Sequence, residues 1–344
     1  MKDKILTRKI TIKDVANRAH VTPALVSRVF NNDETLLIKD ETRKAIVDAI
    51  RELDYRPNSI ARSLRLKRSR TVGVLIADIM NPFFTEIIKG VQQAANKAGY
   101  NIILCNTNDS AEECKRYIEV LSAQMVEGVI LGAGYVSDEE IRLLDRTNTK
   151  YVLLNRIASE EIAPFVRSND SEGMRMAVLH LLKLGHTKIA HLSGPLFADT
   201  ALRRLQGYRK ALMEADILYN PDYVMETKYD EESGYRACKK LLRLEDRPTA
   251  ICAGNDMVAI GAMRAIKEKG LSIPRDISLV GYNDIWVASK LEPPLTTVNT
   301  PLLEMGEKAF RLLMKVLKNE ENETGSIVIE PHLVVRESTC KVKK

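Results

Sequence analysis

Residues 11–32 read TIKDVANRAHVTPALVSRVFNN, and this stretch decides how the chain is organised. Thr11 offers a capping hydroxyl, and Asp14, three residues on, complements the positive end of a helix dipole. Ile12, Val15, Ala16 and Ala19 then fall at i, i+3, i+4 and i+7, one apolar stripe along a short helix. The stripe ends at Ala19-His20-Val21. Thr22 and Pro23 open a second helix, a capping hydroxyl followed by proline at the first helical position. Val26, Val29 and Phe30 supply its inward side, and Asn31-Asn32-Asp33 stop it. A third helix over 40–53 turns Ala45, Ile46, Ala49, Ile50 and Leu53 inward. Two short helices joined by a tight turn and braced by a third form a helix-turn-helix. A generic three-helix bundle would carry the same periodicity.

Charge separates these two readings. The 344-residue chain has a formal net charge of +6. Residues 1–70 hold 17 Lys+Arg against 9 Asp+Glu, and the remainder 35 against 37. A basic module on a near-neutral body is the footprint of a phosphate-backbone binder. The second helix then offers Pro23, Ala24, Ser27 and Arg28 outward, near the end that meets base edges. Arg28 has the fork geometry for a bidentate contact with guanine. Thr11, Thr22, Leu25, Ser27, Asn31 and Tyr55 sit where phosphate, sugar and neighbouring contacts are expected.

The next stretch, YRPNSIARSLRLKRSR over 55–70, opens a short helix at proline and ends as a basic linker. Ala61 and Leu64 lie one turn apart. A leucine flanked by Arg62 and Arg65 suits an apolar wedge between base steps of the minor groove, with Asn58 and Arg65 beside it. A charged interdomain linker is the plainer alternative.

From residue 71 short apolar strands alternate with amphipathic helices. Strands are expected at 72–77, 101–105, 128–131 and 151–154, then at 188–192, 223–226, 249–252 and 277–281. Helices are expected at 83–98, 111–123, 200–215, 231–243 and 255–269. This alternation gives parallel sheets with helices on both faces, here two lobes of similar size. Ligands in such folds sit beyond the carboxyl ends of the strands. The residues at those ends include Asp78, Asn81, Phe83, Phe84, Asn106, Asn108, Gly132 to Gly134, Asn155, Arg156, Thr200, Arg204, Asn255, Asp256, Asn283 and Asp284. Amides, carboxylates, arginine and aromatic faces suit a polyhydroxylated ligand. Asn and Asp are also favoured after strands for turn chemistry alone.

The motifs TIKDVANRA, VTPALVSRVFNN, AIRELDYRPNSIARSLR, VGVLIADIMNPFF, LGHTKIAHLSGP, AGNDMVAIGAMRAI, IPRDISLVGYNDI and PPLTTV occur in this order along almost the whole chain. Together they resemble the lactose/galactose repressor family of bacterial transcription regulators. The resemblance implies an α/β fold: a three-helix headpiece over 1–56, a hinge helix and linker over 57–70, and a doubly wound, two-lobed, periplasmic-binding-protein-like body over 71–344. It implies a homodimer on pseudo-palindromic operator DNA, with Leu64 as the intercalating hinge residue. It further implies effector contacts from Phe83, Phe84, Thr200, Arg204, Tyr229, Asn255 and Asn283.

The chain departs from the family at several positions. His20 replaces a usual glycine at the turn, and Lys39 a usual capping serine, so that Asp40 is the expected cap. Pro23-Ala24 carry few donors for base readout. Asn283 replaces a frequent aspartate, and Asn169-Asp170 reverses a common order. Residues 331–344 show no leucine heptad of the kind that joins dimers into tetramers.

Other classes fit less well. A nicotinamide enzyme needs glycines after the first strand, where ADIMNP stands. No phosphate-binding loop or nucleophile elbow occurs. The five cysteines have no paired spacing, as expected of reduced thiols in a cytoplasm, and no cofactor or metal is expected. His180, His186 and His191 are expected as capping or surface residues. An exported sugar-binding protein would share the two lobes, but leaves 1–70 unexplained and would need a signal core that residues 1–11 lack. No run is apolar for long enough to span a membrane.

Overall fold

The computed structural model of the chain describes residues 10–30, 32–33, 35–55, 68–132, 138–155, 163–319 and 325–342. Two compact units divide it, Met1–Ser69 and Arg70–Lys344. The expected contributions of Asn31, Asn58, Ala61, Leu64, Arg65 and Arg156 lie outside the described residues.

The first unit contains α1 (Ile12–Arg18), α2 (Pro23–Phe30) and α3 (Asp40–Glu52). Val15 and Ala16 meet Val26, Val29, Ile46 and Ala49 in one small core, capped by Leu36 from the loop before α3. Asp14 closes the start of α1, accepting from the Thr11 amide at 2.8 Å and the Thr11 hydroxyl at 2.7 Å. His20 takes the turn with φ 52°, the left-handed conformation that glycine adopts without strain. Three expectations change. Lys39 occupies the cap position of α3 without a side-chain cap, and Asp40 lies in the first turn, where its charge still faces the positive helix end. Ala45 is exposed, because the inward stripe runs through Ile46 and Ala49, one position further round. Phe30 ends α2 at 38% exposure with its ring edge-on to Tyr55 at 6.3 Å.

In the second unit, β1 (Thr71–Ile76), α4 (Pro82–Lys97), β2 (Asn101–Asn106), α5 (Ala111–Ala123), β3 (Gly128–Gly132), α6 (Asp138–Arg146), β4 (Lys150–Leu154) and β5 (Phe165–Ser168) build the first lobe. The second lobe follows with α7 (Asp170–Lys183), β6 (Ile189–Ser193), α8 (Asp199–Glu214), β7 (Val224–Glu226), α9 (Glu231–Leu241), β8 (Ala250–Ala253), α10 (Asp256–Glu268), β9 (Ser278–Asn283) and β10 (Thr296–Asn299). The chain then returns to the first lobe as α11 (Leu302–Leu317) and β11 (Ile327–Ile329), and ends in the second as β12 (His332–Val334). The sheet orders are β11-β5-β4-β3-β1-β2 and β12-β10-β9-β8-β6-β7. All pairings are parallel except β10 with β12. Val72, Val74, Leu75 and Ile76 of β1 are fully buried, as expected for a strand covered on both faces.

The chain therefore crosses between lobes three times, at residues 168–170, 299–302 and 329–332. The first and third crossings are tied to each other: the Asn169 amide donates to the Ile329 carbonyl at 2.9 Å, and its side chain donates to the Glu330 carboxylate at 3.1 Å. The return helix α11 lies directly on α4. A Cβ at Gly90 would stand 2.1 Å from the Leu303 carbonyl oxygen, and one at Gly306 2.1 Å from that of Ile87. Reciprocal glycines let the two backbones touch, so the late helix completes the early lobe.

Candidate functional site

A cleft of about 240 Å³ opens between the two lobes, at the carboxyl ends of β1, β4, β7, β8 and β9. From the first lobe come Asp78 after β1, Phe83 and Phe84 at the start of α4, and Asn155 after β4. The second lobe gives Thr200 and Arg204 from α8, Tyr229 after β7, Asn255 after β8 and Asn283 at the end of β9. Each effector candidate that falls among the described residues lines this one cleft. Asp109, Lys228 and Asp230 line it too, and sequence reasoning missed them. Asp109 and Asp230 lie three and four residues past the ends of β2 and β7. Asn106 and Asn108, by contrast, bond each other at 2.6 Å and do not line the cleft, nor do Asp256 and Asp284.

Local backbone geometry aims these side chains. Asn155, Tyr229 and Asn283 have φ of 69°, 66° and 104°. A bulky residue in that region is strained, and strain of this kind persists where the surroundings over-determine it. At Tyr229 the cause is visible. Its ring covers Gly194, where a Cβ would stand 2.0 Å from the ring. Asn255 fixes its backbone: Nδ2 donates to the Tyr229 carbonyl at 2.9 Å, while Oδ1 accepts from the Val258 amide at 2.8 Å and caps α10. Thr200 and Tyr229 place their hydroxyls 3.4 Å apart. Phe83 and Phe84 pack edge to face at 5.0 Å on the opposite wall.

Arg204 is buried and immobilised. Its Nε donates to Asp170 at 2.8 Å and its Nη1 to the Gly254 carbonyl at 2.5 Å, and the guanidinium lies 3.9 Å from the Tyr282 ring centre. Burial opposes its charge, yet the Asp170 carboxylate beside it holds the guanidinium above the ordinary arginine value. Asp170 is thus a fully buried counter-ion that also bonds Arg203, which explains the Asn169-Asp170 order: Asn169 caps α7 and Asp170 points inward. Asn283 differs from its neighbours. It is 4% exposed, and its Oδ1 has no hydrogen-bond partner among the described residues.

Beneath the cleft, Asp256 is fully buried and accepts from the Thr297 hydroxyl at 2.6 Å and the Ile285 amide at 2.8 Å. Burial pushes its carboxyl up to about 7. His186 and His191 correct another expectation: they are 3% and 0% exposed, neither caps nor surface groups. His191 stacks on Tyr208 at 5.4 Å inside the second lobe.

On the first unit, Thr11, Thr22, Pro23, Ala24 and Arg28 are exposed, while Leu25, Ser27 and Tyr55 are half-buried, Leu25 and Tyr55 packing against the headpiece core. Thr22 opens α2 by accepting from the Leu25 amide at 3.4 Å. Arg28 faces outward from the last turn of α2, and the loop that follows holds its guanidinium. Its Nε donates to Asp33 at 2.6 Å and its Nη2 to Thr35 at 3.0 Å. These bonds from Arg28 and Thr35 draw the Asp33 carboxyl down to about 2.

Comparison with known proteins agrees with this architecture. The model of the lacI family of bacterial regulatory proteins matches residues 11–58, and that of the periplasmic binding protein-like domain matches residues 178–339. The HTH-type transcriptional repressor PurR of Mannheimia succiniciproducens is 36% identical over 96% of this chain and 99% of its own length. The ribose operon repressor of Haemophilus influenzae is 35% identical over 97% and 99%. The Lac repressor dimer bound to operator and the anti-inducer ONPF superposes with a TM-score of 0.87 at 31% identity, covering 97% of this chain and 100% of the other. The chain belongs to the lacI family of bacterial regulatory proteins: it is a DNA-binding transcription regulator in which a helix-turn-helix head is joined to an effector-responsive, periplasmic-binding-protein-like body.

Proposed function

We propose that the chain is a repressor that binds a pseudo-palindromic operator as a homodimer and is controlled by a neutral, polyhydroxylated small molecule, a carbohydrate, held in the interlobe cleft. The observation that carries this reading is Asn283. A buried amide oxygen without a partner costs free energy unless a ligand donates to it. A sugar hydroxyl is such a donor, and Phe83, Phe84 and Tyr229, which line the cleft, suit the apolar side of a sugar ring.

Charge supports a neutral ligand over a phosphorylated one. The cleft is lined by the carboxylates Asp78, Asp109 and Asp230. Arg204 already faces Asp170, which leaves Lys228 to oppose them. A phosphate group would meet mostly like charge.

A ligand touching both walls draws the lobes together about the three crossings, and so biases the arrangement of the segment that precedes residue 71. Control of this kind requires that the ligand prefer one arrangement over the other. On the DNA side, Thr11, Thr22, Ser27, Asn31, Tyr55 and Asn58 position the head on phosphates. Pro23 and Ala24 give apolar base contacts, Arg28 reads guanine, and Leu64 with Ala61 and Arg65 forms the wedge. The protein works in the cytoplasm, where its operator is, and acts by binding rather than by catalysis. Among the described residues no helix is long and apolar enough to cross a membrane.

The test is a thermal-shift screen of the full-length protein against neutral sugars and their phosphate esters, followed by operator titrations. A neutral sugar that raises the melting temperature and changes operator affinity supports the reading. Stabilisation by phosphate esters alone, abolished by Lys228→Ala, contradicts it.

A further inference from the structure

The second lobe has another cavity, at the opposite end of its sheet. It measures about 190 Å³ and is lined by His186, Thr249, Arg247, Arg275, Asp276 and Lys341, among others. His186, Arg247, Thr249, Arg275 and Asp276 precede β6, β8 and β9, whose far ends open into the cleft, and Lys341 comes from the segment after β12. Five strand residues separate the two sites by roughly 15 Å.

The walls are already built. His186 is buried, and its two ring nitrogens lie 2.9 Å from the Thr249 hydroxyl and 2.9 Å from the Cys340 carbonyl. That carbonyl can only accept, so Nε2 carries a proton. The closing segment is pinned by the Cys340 amide donating to the Ser278 hydroxyl at 3.1 Å and the Val342 amide donating to the Leu184 carbonyl at 3.0 Å. Asp276 accepts from the Ser272 amide at 2.8 Å, which fixes the turn that holds Arg275.

The cations around this cavity have no ion-pair partner among the described residues. Two other arginines of the lobe do have carboxylate partners: Arg264 bridges Glu231 and Glu232, and Arg175 bridges Glu172 and Glu214. Arg247, Arg275 and Lys341 line one concavity, with Asp276 as the single carboxylate of its lining among the described residues. Three donors that can each form charge-assisted hydrogen bonds, around a space with a rigid polar floor, match a phosphate group.

We propose that this cavity is a second ligand site, distinct from the interlobe cleft, that binds a phosphate dianion, either free or as the phosphoryl group of a small metabolite. Its charge is the reverse of the cleft's, so the two sites select different ligands. The occupant joins the loop before β8, the turn before β9 and the closing segment of the chain, and so stabilises the second lobe.

Isothermal titration of the full-length protein with inorganic phosphate and with glycerol phosphate, at constant ionic strength, tests the proposal. Saturable binding is expected. The double variant Arg247→Ala, Arg275→Ala should weaken it by about tenfold or more, since each guanidinium bond to a charged group is worth roughly that factor. Both arginines reach solvent, so melting without phosphate should stay near wild type. Lys341→Glu provides an independent variant with the same expected loss. Asn283→Ala, in the cleft, should leave phosphate affinity unchanged, which separates this test from the effector reading. Tighter binding of glycerol phosphate identifies a metabolite as occupant, and equal binding identifies free phosphate. Absence of saturable binding, or equal affinity in wild type and both variants, overturns the site.

Discussion

Asp170 and Arg204 form a buried pair, the carboxylate fully enclosed and the guanidinium 4% exposed, joined at 2.8 Å. Asp170 begins α7 at the end of the first crossing, and Arg204 reaches it from α8 on the cleft wall. One ion pair therefore links a lobe crossing to the cleft wall. Breaking a buried pair from one side leaves an uncompensated charge. Asp170→Ala is expected to destabilise the protein by about 3–5 kcal/mol. Urea unfolding followed by circular dichroism checks this; a loss below about 1 kcal/mol, the scale of an exposed pair, would show that solvent reaches the site.

Asn283 should behave in the opposite way. Its unpartnered Oδ1 contributes little to the folded state, so Asn283→Ala is expected to leave stability nearly unchanged. The same change should weaken the effector by roughly ten- to a hundredfold, the value of one or two buried hydrogen bonds. Titration calorimetry with the sugar found by screening measures it. Loss of stability with unchanged ligand affinity would make Asn283 a structural residue.

Acid sensitivity has an identifiable source. Burial holds the folded pKa of His191 down to about 4, against an unfolded value near 6.5. The unfolded chain binds more protons between those values, so this group's contribution is present above about pH 6.5 and is lost as pH falls towards 4. Asp256 acts with the opposite sign. Its raised folded pKa, about 7, favours folding below the unfolded carboxyl value and loses that contribution as pH rises towards 7. The two partly cancel in the wild type. The comparison of wild type with His191→Leu isolates the histidine: the variant should gain relative stability by up to about 3 kcal/mol between pH 6.5 and 4. A difference independent of pH would mean that His191 is already solvated in the folded state.

Arg28 is held by Asp33 and Thr35 in the unbound headpiece. On the proposed readout of guanine by Arg28, an operator competes with Asp33 for the guanidinium. Asp33→Asn is therefore expected to raise operator affinity severalfold, with a steeper salt dependence, in fluorescence anisotropy titrations. Arg28→Ala should relax discrimination at one base pair, on the order of 1–3 kcal/mol. Weaker binding by Asp33→Asn would assign Asp33 the role of orienting Arg28 for its base.

Much of this was legible in the sequence because local rules and tertiary packing agree. The stripe through Val15, Ala16, Val26 and Val29 is a core in the structure, and Thr22-Pro23 opens α2 where capping chemistry places it. The strand-end rule located Asp78, Asn155, Asn255 and Asn283 on one cleft. The three lobe crossings were not legible. Strands β10, β11 and β12 have only three or four residues, too few to show a period, and the return of α11 to the first lobe is fixed by contact of Gly90 and Gly306 across some 200 positions of sequence. The histidines were misread because residue type favours the surface, whereas His191 stands in a fully buried strand. Lys228 and Asp230 escaped because they flank Tyr229 in a loop whose left-handed turn no pattern announces.

The central claim is that one chain couples a DNA-reading head to a ligand cleft. Its most direct measurement is operator affinity of the full-length protein, on the duplex recovered from an unbiased selection, with and without the stabilising sugar. The expected result is a salt-sensitive, sequence-selective complex whose affinity moves at least tenfold with sugar in the wild type, a coupling of about 1.4 kcal/mol, and does not move in Asn283→Ala at the same sugar concentration. A protein that selects no duplex, or whose operator affinity ignores every ligand that fills the cleft, would contradict the account.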